Sequence, residues 1–229
     1  IVELRPSLIP LETKEHWVKD LMGLSLKNVE VSIIAKNKVH TKQFGEMLFA
    51  HFGVTGPIIL SASHTVTKLL KKKVAPIIIE INLKPALTRD VLDKRVQRDF
   101  SESQNKQLIN VLKGLLPSKL IPVICQLAEL EGTKAIHDIT KEERLRLVDT
   151  IQHMQLTVHK PRPIAEAIVT AGGVSVKEVD PKTMQSKLVN GLYIAGEVLD
   201  VDAFTGGYNL QVAFSTAYVA ATHAAEGGV

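Results

Sequence analysis

A chain of 229 residues with 45% hydrophobic and 23% charged side chains has an ordinary globular composition, long enough for one or two packed domains. Its single cysteine, Cys125, excludes an internal disulfide and any multi-cysteine zinc site, and no charge-poor apolar run makes a convincing bilayer span. The formal charge of +4 is asymmetric: no Lys or Arg follows Lys187, so the last 42 residues carry −4 and the first 187 carry +8. The basic residues are spread along helices, the pattern of a solvated surface, which argues against a nucleic-acid or membrane partner. The lack of disulfides agrees with a cytoplasmic location.

In chain order, Ile1–Glu12 reads as an extended entry punctuated by Pro6 and Pro10. Thr13 is placed to cap a short helix, Lys14–Met22, that Gly23 ends. Val29–Ala35 and Val39–Ala50, separated by the turn-like Lys36-Asn37-Lys38, form a hairpin pattern. Gly53–Pro57 turns the chain into an amphipathic helix, Ile58–Lys73, with Pro57 in its first turn and lysines at its C-terminal end. Pro76–Leu83 is the clearest strand.

From Thr88 to about His153 the texture is helical. Thr88-Arg89-Asp90 starts one helix, Asn105–Leu116 is a second, and Ser118 caps a third that runs through Leu130. Thr140-Lys141-Glu142-Glu143 is a capping box that opens a fourth. Strand texture returns at Met154–His159, Ala165–Thr170 and Leu192–Ala195, so the helices form an insertion between strands. Gly207–Ala225 is the last helix; the stretch Ala203–Ala225 lacks Asp, Glu, Lys and Arg and reads as a buried helix with a polar start.

Chemistry concentrates near the C-terminus. Gly196 closes a short apolar strand and lets a ligand approach the backbone; Glu197 is placed to accept a hydrogen bond from a sugar or ribityl hydroxyl. Gly206 and Gly207 uncover the first-turn amides of the last helix, which have no partners within it and carry the positive end of its dipole. Such amides suit a phosphate, or the N1/O2 edge of a flavin that gains negative charge on reduction. Gly172-Gly173 is a second glycine pair, read either as a bulge or as close approach to the flavin ring or substrate. His51, Thr55 and Arg162 are candidates for the substrate side, with core or surface roles as their plainer reading. HExxH, CxxC, GxSxG and P-loop patterns are absent, and the eight histidines show no metal-ligand spacing.

Gly191–Asp202 (GLYIAGEVLDVD) followed by Thr205–Gln211 (TGGYNLQ) closely resembles the C-terminal signature of the BaiN/YhiN-type flavoprotein family. The resemblance extends to Gly45–Leu60, Lys113–Pro122 and Arg162–Lys187. It implies an NAD(P)/FAD-dependent oxidoreductase of α+β class. Its parts would be a β-rich pseudobarrel insert (residues 1–87 and 154–189), a small helical subdomain (88–153) and the C-terminal strand–helix of a Rossmann-type FAD domain (190–229). The pairing of Gly172-Gly173 with Gly196-Glu197 is also similar to the flavin-proximal strands of the fumarate-reductase type.

By the same resemblance, Gly196, Glu197 and Thr205–Gln211 (Thr205, Gly206, Gly207, Tyr208, Asn209, Leu210, Gln211) contact FAD, and Gly172 and Gly173 border the ring. NAD(P)H is the expected reductant, and an unsaturated or carbonyl small molecule the expected acceptor. The family's N-terminal strand–GxGxxG–helix does not occur here, and Ile1–Leu11 matches the junction where the chain leaves the FAD domain. The expectation is therefore a C-terminal portion whose partner is the missing FAD domain and which is inactive alone. Two rivals remain: a flavin-dependent RNA-modifying enzyme with a basic helical insert, and a non-enzymatic binding module.

Overall fold

The computed structural model describes residues 1–226. Six antiparallel strands close a barrel in the order β2–β5–β4–β3–β6–β7. They are β2 (Leu11–Thr13), β3 (Ser25–Ala35), β4 (Lys38–Ala50), β5 (Gly53–Thr55), β6 (Ile77–Asn82) and β7 (Met154–Pro161). Alternate residues point inward, as the strand period requires: Val29, Val31, Ile33 and Ala35 on β3 face Ile77, Ile79 and Ile81 on β6, all buried. The β3–β4 turn is Lys36-Asn37, both with positive φ (50° and 56°), the handedness that a two-residue hairpin requires.

Helix α1 (Pro57–Lys71) packs on β4 and buries Ile58, Ile59, Ala62 and Val66 in the barrel core. Pro57 occupies its first turn, where a missing N–H costs nothing. Between β6 and β7 the chain leaves the barrel for α2 (Arg89–Ser101), α3 (Leu108–Val111), α4 (Ile121–Leu127) and α5 (Lys141–Gln152). One hydrophobic core runs continuously through the barrel and these helices. The mixed α+β class and the barrel with its helical unit agree with the sequence reading.

Outside the barrel, β1 (Val2–Ser7) pairs with β8 (Val169–Gly173), and α6 (Tyr208–Glu226) closes the described chain. Between β8 and α6 a smaller cluster forms around Val179, Met184, Leu199 and Ala220.

Several local expectations need correction. The segment expected as a helix at Lys14–Met22 is a 3-10 turn, His16–Leu21, because Thr13 is drawn into β2 opposite Val158. The second helical segment is shortened to α3, with a 3-10 turn at Leu112–Gly114. The Leu108 and Ile109 amides bond instead to the carbonyls of Lys134 and Gly132 (3.0 and 2.9 Å). Helix α4 begins at Ile121 without a side-chain cap from Ser118; Pro122, which only a first turn tolerates, marks its start.

The strand expected at Ala165–Thr170 starts only at Val169, after a 3-10 turn at Ile164–Glu166. Leu192–Ala195 makes a single antiparallel bridge, Gln185 to Tyr193, flanked by the Ser186-to-Leu192 and Ile194-to-Met184 backbone bonds, and is not extended into a strand. The helical unit is not basic: residues 88–153 hold eleven Lys and Arg against ten Asp and Glu. Several of these charges are paired, as in Arg144–Asp93, Lys134–Glu143 and Arg89–Asp149.

Helix α6 forms as expected, with only Ala220 on it buried, while Tyr208, Leu210, Phe214 and Tyr218 are 57–76% exposed. The uncharged run is thus an apolar surface that no other described element covers, as expected of a helix whose burial needs the parallel sheet of a Rossmann-type domain.

Candidate functional site: the mouth of the last helix

Small polar side chains hold α6 and its preceding loop. Asn209 grips Ala203 from both sides, accepting from its amide (2.9 Å) and donating to its carbonyl (3.0 Å). Thr205 Oγ1 meets Ser61 Oγ of α1 at 3.1 Å, and the Gly196 amide donates to Thr216 Oγ1 at 3.0 Å. A 3-10 turn at Gly196–Val198 thereby lies against α6, and the loop from Val201 to Gly207 is fastened to both α1 and α6.

The result is a pocket of about 390 Å³ lined by Leu8, Ile168, Val169, Glu197, Phe204, Thr205, Gly206, Gly207, Asn209 and Leu210. Gly206 and Gly207 take φ of +117° and +88°, and a Cβ on Gly207 or Gly196 would project into open space. The first intrahelical bond runs from the Gln211 amide to the Gly207 carbonyl, which leaves the Tyr208, Asn209 and Leu210 amides without a partner among the described residues. No charged residue lies in this first turn to compete for them. Gln211 is exposed and donates to Ser215 Oγ.

The structure thus gathers Glu197 and Thr205–Leu210 at one mouth, with Gly196 behind them. Gly172 and Gly173 serve a nearby purpose by another route. A Cβ on Gly172 would stand 2.3 Å from the Glu3 carbonyl oxygen, and one on Gly173 would stand 2.3 Å from that of Val198. Their close approach is to protein backbone. It brings β8 against the 198–200 segment, where the Val174 amide donates to Val198 and the Gly172 amide to Asp200 Oδ1. This seam aims the turn that carries Glu197.

His51, Thr55 and Arg162 lie elsewhere. Thr55 sits in β5 opposite Leu48. The Arg162 guanidinium donates to Glu12 and to both Glu166 oxygens (2.7–2.9 Å) and lies 4.6 Å over the Phe52 ring, against which His51 packs edge-on. Those partners occupy the donors of Arg162, and none of the three residues lines the α6 pocket.

Residues that the sequence did not single out stand beside the mouth. His64 on α1 bonds through Nδ1 to Asp202 Oδ2. The same carboxylate accepts from Ser7 Oγ at 2.7 Å and faces the Arg5 guanidinium at 3.9 Å. Burial pushes the Asp202 carboxyl up, but the hydrogen bonds from His64 and Ser7 and the charges of His64 and Arg5 outweigh it. The group ends below the ordinary carboxylate range. A pocket of about 300 Å³, lined by His64, Asp202, Ala203, Phe204 and Tyr208, opens next to the first and shares Phe204 with it. The available signal was the run Ser61-Ala62-Ser63-His64, a small polar row on the buried side of an amphipathic helix.

A barrel with a helical insertion and a flavin-type signature defines a class, and comparison with known proteins identifies it. A family profile described as "HI0933-like protein barrel and H2TH domain" matches residues 5–169. The chain belongs to this family, the BaiN/YhiN-type flavoproteins. Among curated proteins it is similar to a ribosomal RNA dihydrouridine synthase of Haemophilus influenzae, 31% identical over 223 residues, covering 96% of this chain and 52% of that protein. It is also similar to a 3-dehydro-bile acid delta(4,6)-reductase of Clostridium scindens, 28% identical, covering 96% and 54%. An Escherichia coli ribosomal RNA dihydrouridine synthase is 27% identical, covering 96% and 52%. The chain spans about half the length of these relatives. Among the described residues no helix is long and apolar enough to cross a membrane.

Proposed function

We propose that this chain is the portion of an FAD-dependent reductase that closes over the isoalloxazine, with NAD(P)H as the reductant of the whole protein. The single observation that carries the reading is the α6 mouth: donors on Tyr208, Asn209 and Leu210, uncovered by Gly206-Gly207, beside a pocket of about 390 Å³. The residues fit the pyrimidine edge of a flavin. The open space at Gly207 admits a flat ring, and the uncharged first turn leaves the dipole free to stabilise charge at N1/O2. Glu197, exposed at the pocket wall, is an acceptor for a ribityl hydroxyl. Bound there, the flavin supplies hydride chemistry; the protein orients it and keeps water from one face.

The acceptor in this reading is a carbon–carbon double bond conjugated to a carbonyl. The names of the relatives support that class from two directions, since a dihydrouridine and a reduced bile-acid ring each arise by saturating such a bond. Two of the relatives act on ribosomal RNA by name, so a uracil within RNA is the second reading. The near balance of charge on the helical unit does not favour that unit as the RNA contact.

The test uses the full-length polypeptide. It should purify yellow, bleach with NADH or NADPH, and lose FAD affinity about tenfold in Glu197→Ala, the scale of a hydrogen bond to a charged group. A colourless protein that excess FAD fails to load would overturn the reading.

A further inference from the structure

We propose that the second pocket receives the conjugated carbonyl of the substrate, with His64 Nε2 as the catalytic proton donor and Asp202 as its positioning residue. This rests on the flavin reading above and deepens it.

The geometry supports the assignment at three points. Nδ1 of His64 is tied to Asp202, so Nε2 is the ring nitrogen left to the pocket that His64 lines; among the described residues it has no protein partner. A carboxylate on one ring nitrogen fixes the tautomer and orients the other. Asp202 is itself immobilised, with its side chain only 9% exposed, by Ser7 and Arg5 on β1 and His64 on α1. The remaining walls are the aromatic Phe204 and Tyr208. A planar ring fits such walls, with its one polar edge turned to the imidazole. The ionisable groups around His64 are Asp202 from the loop, Arg5 from β1, Tyr208 from α6 and, one turn along α1, Lys68.

The step balances as a two-electron reduction. A bound, reduced flavin would supply the hydride to the β-carbon, and the alkene pair would shift toward the carbonyl carbon. The carbonyl π pair moves to oxygen, which takes the proton from Nε2. The enol would then tautomerise to the saturated carbonyl, the two electrons having come from the flavin, and neutral His64 would regain its proton from solvent. Both pockets are lined in part by Phe204, so the two cavities adjoin.

The probe is 4-nitrophenol, a planar acid whose coloured phenolate imitates the enolate oxygen, titrated into the full-length flavoprotein. Wild type should bind it as the phenolate. His64→Gln should lose affinity about tenfold or more, and Asp202→Asn by less. In 15N-histidine spectra, wild-type His64 should hold the Nδ1–H tautomer when neutral, and Asp202→Asn should release it. A purely structural His64 would show no such tautomer. His159→Gln, at an exposed strand position, serves as the control. Failure of wild type to bind the phenolate, equal affinity in His64→Gln, or a neutral Nε2–H tautomer in wild type would each overturn the assignment. FAD content measured in every sample separates the two readings: a flavin-free protein that still holds phenolate at His64 counts against the flavin alone.

Discussion

Gly173 sits where two backbones nearly touch, and the reason for a glycine there is visible only in three dimensions. Its φ is +122°, and a methyl group at this position would stand 2.3 Å from the Val198 carbonyl oxygen, which leaves no room for any side chain. Gly173→Ala should therefore destabilise the fold by roughly 3 kcal/mol, measured by denaturant unfolding, through forced separation of β8 from the 198–200 segment. The sequence marked Gly172 and Gly173 as close-approach positions, but not what approaches them. The same limit explains why His64 and Asp202 went unread. They are 138 positions apart, and neither a lone histidine on an amphipathic helix nor one acid among several in a loop announces a partner.

At the scale of elements, local chemistry was readable wherever the deciding atoms are close in sequence. Lys36-Asn37 turns the hairpin, Pro57 opens α1, and Thr140 with Glu143 makes both bonds of the capping box (3.2 and 2.8 Å). Removing that box by Thr140→Ala should cost about 1 kcal/mol, read as a lower unfolding midpoint with no change in the unfolding slope. Reading failed where distant backbone intervened. Leu108 and Ile109 give their amides to the 132–134 segment, which no helical periodicity between Asn105 and Leu116 could foretell. The bare flank of α6 follows a different rule: a lack of charge describes a helix surface, and only the neighbouring elements decide whether it is covered. The candidate site was legible as the residue run Thr205–Gln211, and its second half, on α1 and β1, was not.

For the molecule as a whole, specific pairs set the titration of several carboxylates. Asp93 is held below the ordinary carboxylate range by hydrogen bonds from Arg144 and then Gln97, Asp149 by Arg89, and Glu143 by Lys134 and the Thr140 amide. A carboxyl depressed in the folded state stabilises it fully above the unfolded pKa, and that contribution is lost as pH falls through the folded value. Thermal stability should thus be level near neutrality and fall as pH drops below about 4, with Asp93→Asn showing a shallower fall between about pH 5 and pH 2 by calorimetry. The moorings of α6 obey a different logic from the ion pairs. Asn209, Thr205 and Thr216 supply directional bonds, while the helix contributes little hydrocarbon to any interior. Directional bonds aim an object without gluing it down. The last helix is consequently a pointer with a defined bearing and weak cohesion, and whatever settles at its tip or along its bare flank would set how firmly it stays in place.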